Sequence, residues 1–197
     1  MIAANKPAKK IEEKNDIRLC FDTQWINNKI INSVDSNLPL LREVLDQLGD
    51  FQWVTLLDLA DSYHQFRLKK EDQVKTAFTI NGKQWVFRVV LFGLKIMTGH
   101  MQRIMERLLK NLGVSPFQND TAIASKTAEE HIQLVKRVLE RITYDAGLRL
   151  KLKKCKFFQT EMRVLGFYVI RTGLKMDPKK VKTITEWPRP KDGKGIQ

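Results

Sequence analysis

A chain of 197 residues, 43% hydrophobic and 29% charged, can bury a core and has the composition of a soluble globular domain. Its net charge is +13: residues 148–197 carry 14 Lys/Arg against 4 Asp/Glu, and the rest carries 21 against 18. No apolar run approaches the roughly 18 residues of a membrane span, and the basic surplus points to a polyanionic partner, because each neutralised phosphate releases counterions.

Met1 to Lys10 is basic without an apolar core behind it, so it does not read as a secretory signal. Residues 1–16 are polar, lysine-rich and expected to be loose. Ile17 to Phe21 alternates as a strand. Pro39 to Leu48 predicts a helix, since Leu40, Leu41, Val44, Leu45 and Leu48 recur at three and four and Gly49 stops it. Phe51 to Leu59 is rich in β-branched and aromatic residues and reads as a strand. Thr76–Ile80 and Lys83–Val90 flank Asn81-Gly82, a strong short-range hairpin signal. Ile96 to Asn111 predicts a helix with Met97, Met101, Ile104, Met105 and Leu108 on one face, its methionines serving as core filler.

Phe117-Gln118-Asn119-Asp120 is a polar tip between two strand-like stretches. Pro116 before it lacks a ladder donor, which confines it to an edge or bulge. Thr127 opens a helix with Glu130 three residues later as a capping box. Val135, Val138, Leu139 and Ile142 form its stripe, and Gly147 ends it. Val164 to Ile170 reads as one strand. Asp177-Pro178 opens a last helix that stops before Pro188, and residues 191–197 form a polar tail. Helices and hairpins interleave without βαβ regularity, which predicts an α+β fold with an antiparallel sheet.

Asp58 ends an apolar strand, where a carboxylate is costly unless hydrogen-bonded or metal-bound. Alone it reads as a strand-end cap, and Asn119-Asp120 alone reads as a turn. The run Leu56-Leu57-Asp58-Leu59-Ala60-Asp61-Ser62-Tyr63-His64-Gln65 resembles motif A of reverse transcriptases from gypsy-type LTR retrotransposons. Asp46-Gln47-Leu48-Gly49 and Lys75-Thr76-Ala77-Phe78-Thr79 extend that likeness, and Phe117 to Asp120 resembles motif C. The resemblance implies that Asp58 and Asp120 hold catalytic Mg²⁺, with Mn²⁺ an alternative, and that Tyr63 lies under the incoming dNTP and selects deoxyribose by bulk. Its residue-level alternative is a half-buried core tyrosine with a bonded hydroxyl. Asp61 falls at a variable place and is expected at the surface. Two-metal phosphoryl transfer explains the carboxylates, because Mg²⁺ prefers hard oxygen ligands. The family has Asp-Asp in motif C; here the first is Asn119, which brings no charge, so weakened metal binding and impaired chemistry are expected.

Val90-Leu91-Phe92-Gly93-Leu94, followed by Met101-Gln102-Arg103-Ile104-Met105, is similar to motif B. Phe92, Gly93 and Gln102 carry over as nucleotide-pocket residues, whereas Leu91 replaces a proline and Lys95-Ile96-Met97-Thr98 replaces the family turn. Arg18, in Arg18-Leu19-Cys20-Phe21-Asp22, resembles the fingers arginine that holds a triphosphate; a surface strand arginine is the alternative. Leu150 to Phe158 is similar to motif D. It places Lys153 on nucleic acid and Lys154 where it protonates or neutralises pyrophosphate, or simply contacts backbone phosphate. Leu165-Gly166-Phe167-Tyr168 resembles the primer grip, and Glu186-Trp187-Pro188-Arg189-Pro190 the thumb entrance.

The resemblance covers residues 17–190 and implies a right-hand polymerase fingers–palm domain with the thumb largely absent. An RNA/DNA template-primer and a dNTP are the expected partners. Cys20 and Cys155 lack metal spacing and fit buried thiols in an intracellular, reducing setting. His64, His100 and His131 are scattered, against a zinc site. Two other readings stand beside an impaired RNA-directed DNA polymerase: a nucleic-acid-binding module without catalysis, and a decayed retroelement fragment.

Overall fold

A computed structural model describes residues 2–4, 18–31, 38–46, 48–164, 167–171, 173–176, 182, 185 and 186. The first half contains β1 (Ile2–Ala4), β2 (Arg18–Cys20), α1 (Gln24–Lys29), α2 (Leu41–Asp46), β3 (Trp53–Asp58), α3 (Lys70–Gln73), β4 (Phe78–Ile80) and β5 (Lys83–Trp85). The second contains α4 (Met97–Leu108), β6 (Ser115–Phe117), β7 (Asp120–Ser125), α5 (Ala128–Glu140), β8 (Lys156–Gln159), β9 (Glu161–Val164), β10 (Phe167–Ile170) and β11 (Gly173–Met176).

A four-stranded antiparallel sheet in the order β6-β7-β3-β8 forms the centre. Its side chains alternate between two covered faces, as the pleat requires. Leu57 and Ile123 join Met101, Met105, Val135, Val138 and Ile142 in a core under α4 and α5. Val54 and Ala122 face the other way, onto Leu48, Phe51, Met162 and Val169, beside the sheet β11-β10-β9. The fully buried Leu57, Met101, Met105, Ile123 and Ile142 each contribute about 1.5–3 kcal/mol by leaving water. The methionines are core filler, as the spacing predicts.

Local chemistry sets several boundaries as expected. Asn81 (φ 51°) and Gly82 (φ 71°) are both left-handed, and Ile80 pairs with Lys83 across a two-residue turn. Thr127 accepts from Glu130 N–H at 3.2 Å while Glu130 Oε2 accepts from Thr127 N–H at 3.3 Å, completing the capping box. Gly147 (φ 62°) follows a π-turn over Arg141–Asp145. Pro116 lies in β6, at the sheet edge, where its missing N–H costs no ladder bond.

A buried imidazole fastens α5 to the sheet. His131 places Nε2 2.7 Å from Thr55 Oγ1 and Nδ1 2.7 Å from Ser125 Oγ. Phe158 N–H donates to Thr55 Oγ1 (3.2 Å), so the Thr55 proton is free for Nε2. Nδ1–H then donates to Ser125, whose hydroxyl donates to Thr127 O (3.2 Å). Every donor has an acceptor with the ring neutral, and burial pushes the His131 pKa below the ordinary 6.5.

Several boundaries depart from the sequence reading. Val164–Ile170 is two strands rather than one: β9 and β10 pair antiparallel with Val164 opposite Phe167. Gly166 is the one break residue in that run, and a single glycine inside an apolar stretch does not separate a bulge from a reversal. The leucine-rich helix is shorter, Leu41–Asp46. Beyond Trp85 the second hairpin arm leaves its partner, and Val89 bridges Arg67 instead. Ile2–Ala4, inside the segment expected to be loose, pairs with Arg18–Cys20. The helix expected from Asp177-Pro178 and the tail at 191–197 lie outside the described residues, apart from Lys182, Thr185 and Glu186.

Candidate active site

β3 and β7 pair so that Asp58 stands directly opposite Asp120. Directly opposed residues share a face, so both carboxylates lie with Leu56 and Ala122, on the side away from α4 and α5. Asp58 is buried and Asp120 half-buried. Burial pushes the Asp120 pKa up, and the Asp58 carboxylate pushes it the same way; Lys154 opposes both. Lys154 Nζ sits 3.3 Å from Asp58 Oδ2. Its loop is stitched to the same residue: Lys151 N–H donates to Asp58 O (2.8 Å), and Asp58 N–H donates to Cys155 Sγ (3.4 Å).

The donor set suits a divalent cation: two hard carboxylates are crowded together, and an ammonium already stands in as the neutralising charge. Asn119 occupies the turn just before Asp120, and its backbone carbonyl accepts from Leu59 N–H at 3.0 Å. Among the described residues, no group of three or more His, Cys, Asp or Glu side chains converges as a metal site.

The tip is held from behind. Phe117 pairs with Asp120, leaving Gln118 and Asn119 as the turn, and Gln118 is left-handed at φ 56° without being glycine. Gln102, 1% exposed on α4, accepts from Gln118 N–H (2.8 Å) and donates to Pro116 O (2.8 Å) and Glu106 Oε1 (2.8 Å). The sequence reading placed Gln102 in the nucleotide pocket. The structure commits both its amide N–H groups to protein acceptors, so it braces the tip.

Tyr63 and Phe92 come together edge to face, 5.5 Å between centroids, and His64 lies 4.4 Å from the same Phe92 ring. Tyr63 is half-buried with its hydroxyl 3.5 Å from Thr98 Oγ1, while Phe92 is exposed. Gly93 has φ 89°, and a Cβ there would lie 2.8 Å from Thr23 Oγ1. Its carbonyl accepts from Asn27 Nδ2 (2.8 Å), and Asn27 Oδ1 accepts from Lys95 N–H (3.0 Å). Glycine is required there for close packing against the start of α1. Asp61 is exposed, as expected.

Arg18 lies on β2, paired opposite Ala4. Lys153 is exposed beside Lys154. Phe167 and Tyr168 lie on β10, in the neighbouring sheet, with Phe167 packed against the core and Tyr168 exposed. Leu165 and Gly166 lie outside the described residues.

Sequence reasoning assigned no role to Asn27 or Gln65. Gln65 Nε2 donates to Ala60 O and to Arg149 O (3.0 Å), and its Oε1 accepts from Arg149 N–H (2.6 Å), tying the turn after Asp58 to the segment before Lys154. Gln65 stands inside the motif A run, but both amides are half-buried and bond backbone groups far away in sequence, so no local signal marks either role.

Residues 5–169 match the model of the reverse transcriptase (RNA-dependent DNA polymerase) family. The chain belongs to this family. Among its relatives is the Pol polyprotein of the Drosophila melanogaster transposon gypsy, 34% identical over 88% of this chain and 17% of that protein. Another is that of transposon 297 from the same organism, 33% identical over 93% of this chain and 17% of that protein. The gypsy-type resemblance read from motif A is borne out. The chain spans under a fifth of the length of these curated relatives.

Solved structures agree on the fold. A foamy viral protease–reverse transcriptase in complex with dsDNA superimposes with a TM-score of 0.86 at 24% identity, over 99% of this chain and 40% of that one. The same type of protein in complex with an RNA/DNA hybrid gives 0.80 at 25% identity, over 94% and 25%. The α+β right-hand reading therefore stands, and by descent this is a reverse-transcriptase domain.

Proposed function

We propose that this domain binds a template-primer duplex at the end of the palm sheet where Asp58 and Asp120 stand, and that its nucleotidyl transfer is impaired by Asn119. One observation carries the reading: the two remaining carboxylates are direct ladder partners, and the turn residue beside them is uncharged. Asp58 and Asp120 would hold the divalent ion, which when bound supplies charge stabilisation at the transferring phosphoryl group. Tyr63 and Phe92 form one wall against which a nucleotide sugar would rest, and Lys154 neutralises negative charge at the same mouth. The net charge of +13 supports nucleic acid as the partner.

Primer extension with Mg²⁺ and with Mn²⁺, beside an Asn119→Asp variant, tests this. The expected result is little or no extension by the natural chain and a gain of at least about tenfold in the variant, the scale on which one preorganised charge acts in a transition state. Unimpaired extension by the natural chain overturns the impairment. A second reading, duplex binding without any extension, is favoured by the same charge. It predicts salt-sensitive binding that Asn119→Asp leaves catalytically silent.

A further inference from the structure

We infer that Lys154 is a displaceable counter-ion: it sits on Asp58 where a divalent cation would bind, and its side chain has to swing away before the cation can load. The inference rests on reading Asp58 and Asp120 as the cation site.

Three observations carry it. First, Lys154 Nζ lies 3.3 Å from Oδ2 of Asp58, whose side chain is only 12% exposed. Second, the loop is fixed at its base. Lys151 N–H donates to Asp58 O, Lys154 N–H donates to Lys151 O, and Asp58 N–H donates to Cys155 Sγ. The ammonium is thus delivered to this carboxylate by built backbone contacts. Third, the Lys154 side chain is itself 57% exposed. A long flexible stem in water can leave without moving the loop.

An ammonium and a divalent ion repel, and both are drawn to the same carboxylate, so the two compete for Asp58. The local charge strengthens the competition. Asp58 and Asp120 bring two negative charges, Lys154 removes one, and Asn119 adds none. The incoming cation therefore meets a net charge of about −1 until Lys154 departs. Once displaced, the ammonium is free for anionic groups arriving at the same mouth. Anion capture is thereby tied to cation loading.

Mn²⁺ titration followed by electron paramagnetic resonance tests the competition in the whole chain. Lys154→Met is expected to tighten Mn²⁺ binding about three- to tenfold, the scale of a partly exposed ion pair. Lys154→Arg should stay near the natural affinity, and Asp120→Asn should weaken it. A second measurement needs no variant: acetylation of Lys154, read by mass spectrometry, should rise as Mn²⁺ saturates, with Lys153 unchanged. Equal or weaker Mn²⁺ binding by Lys154→Met, or Lys154 labelling that does not rise, overturns the inference and leaves the Asp58–Asp120 site standing. If neither the natural chain nor Lys154→Met binds Mn²⁺, the site reading itself falls and takes the inference with it.

Discussion

The strand that carries Asp58 and the hairpin that carries Asp120 meet in one ladder, yet they are secured by different physics. β3 runs through the middle of the sheet, with β7 on one side and β8 on the other, and its side chains are covered on both faces. Ladders on both sides and many weak, non-directional contacts hold it. The hairpin ends in an edge strand containing Pro116, turns through a left-handed Gln118, and depends on the Gln102 amide behind it. A few directional bonds hold that arm. The first arm should be most sensitive to loss of volume, the second to loss of a single polar group.

The largest effect is expected at Leu57, 1% exposed beneath α4 and α5. Leu57→Ala should cost about 2–5 kcal/mol in urea unfolding, through lost transfer energy and the cavity left behind. Next comes Gln102→Leu, which strands Gln118 N–H and Pro116 O. It should cost about 1–3 kcal/mol and accelerate amide hydrogen exchange at Gln118 more than at Leu57. Equal acceleration at both would erase the proposed difference between the arms.

His131 tests the layer beneath both arms. Its folded pKa lies below the unfolded 6.5, so between those values the unfolded chain binds more protons. The stability tied to the neutral ring is complete above about 6.5 and is lost as the pH falls through the folded pKa. Thermal melts in series from neutral to mildly acidic pH should show that decline, and His131→Gln should flatten it. A profile identical in the variant would remove the imidazole from the account.

The smallest effect belongs to Asp120. Its raised pKa marks a carboxylate that burial and Asp58 disfavour when ionised. Asp120→Asn should raise the melting temperature by about 1–3 °C. Added Mn²⁺ should then stabilise the variant less than the natural chain. A lower melting temperature would mean that the charge is better accommodated than the ladder geometry implies.

What was legible in the sequence was local or periodic. Asn81-Gly82 and the Thr127–Glu130 box are complete within a few residues, so their geometry follows from turn and cap chemistry alone. Pro116 announced an edge because a missing N–H means the same thing in any sheet. The juxtaposition of Asp58 and Asp120 was legible only through family resemblance, since nothing in either segment names its partner. The roles of Asn27, Gln65 and Gln102 were not legible: each depends on a backbone group distant in sequence, 14 residues away for Gln102 and Pro116 and 84 for Gln65 and Arg149. Val164–Ile170 failed for a different reason: Val164 closes β9 and Phe167 opens β10, and Gly166 alone between them was not read as a strand break.

The bond between Leu59 N–H and the carbonyl of Asn119 has a genetic corollary. It involves main-chain atoms alone, so the turn keeps its shape whichever side chain stands at that position. Asparagine and aspartate codons differ by one base. A single-base change would therefore place a carboxylate in this turn while leaving its main-chain bond to Leu59 in place.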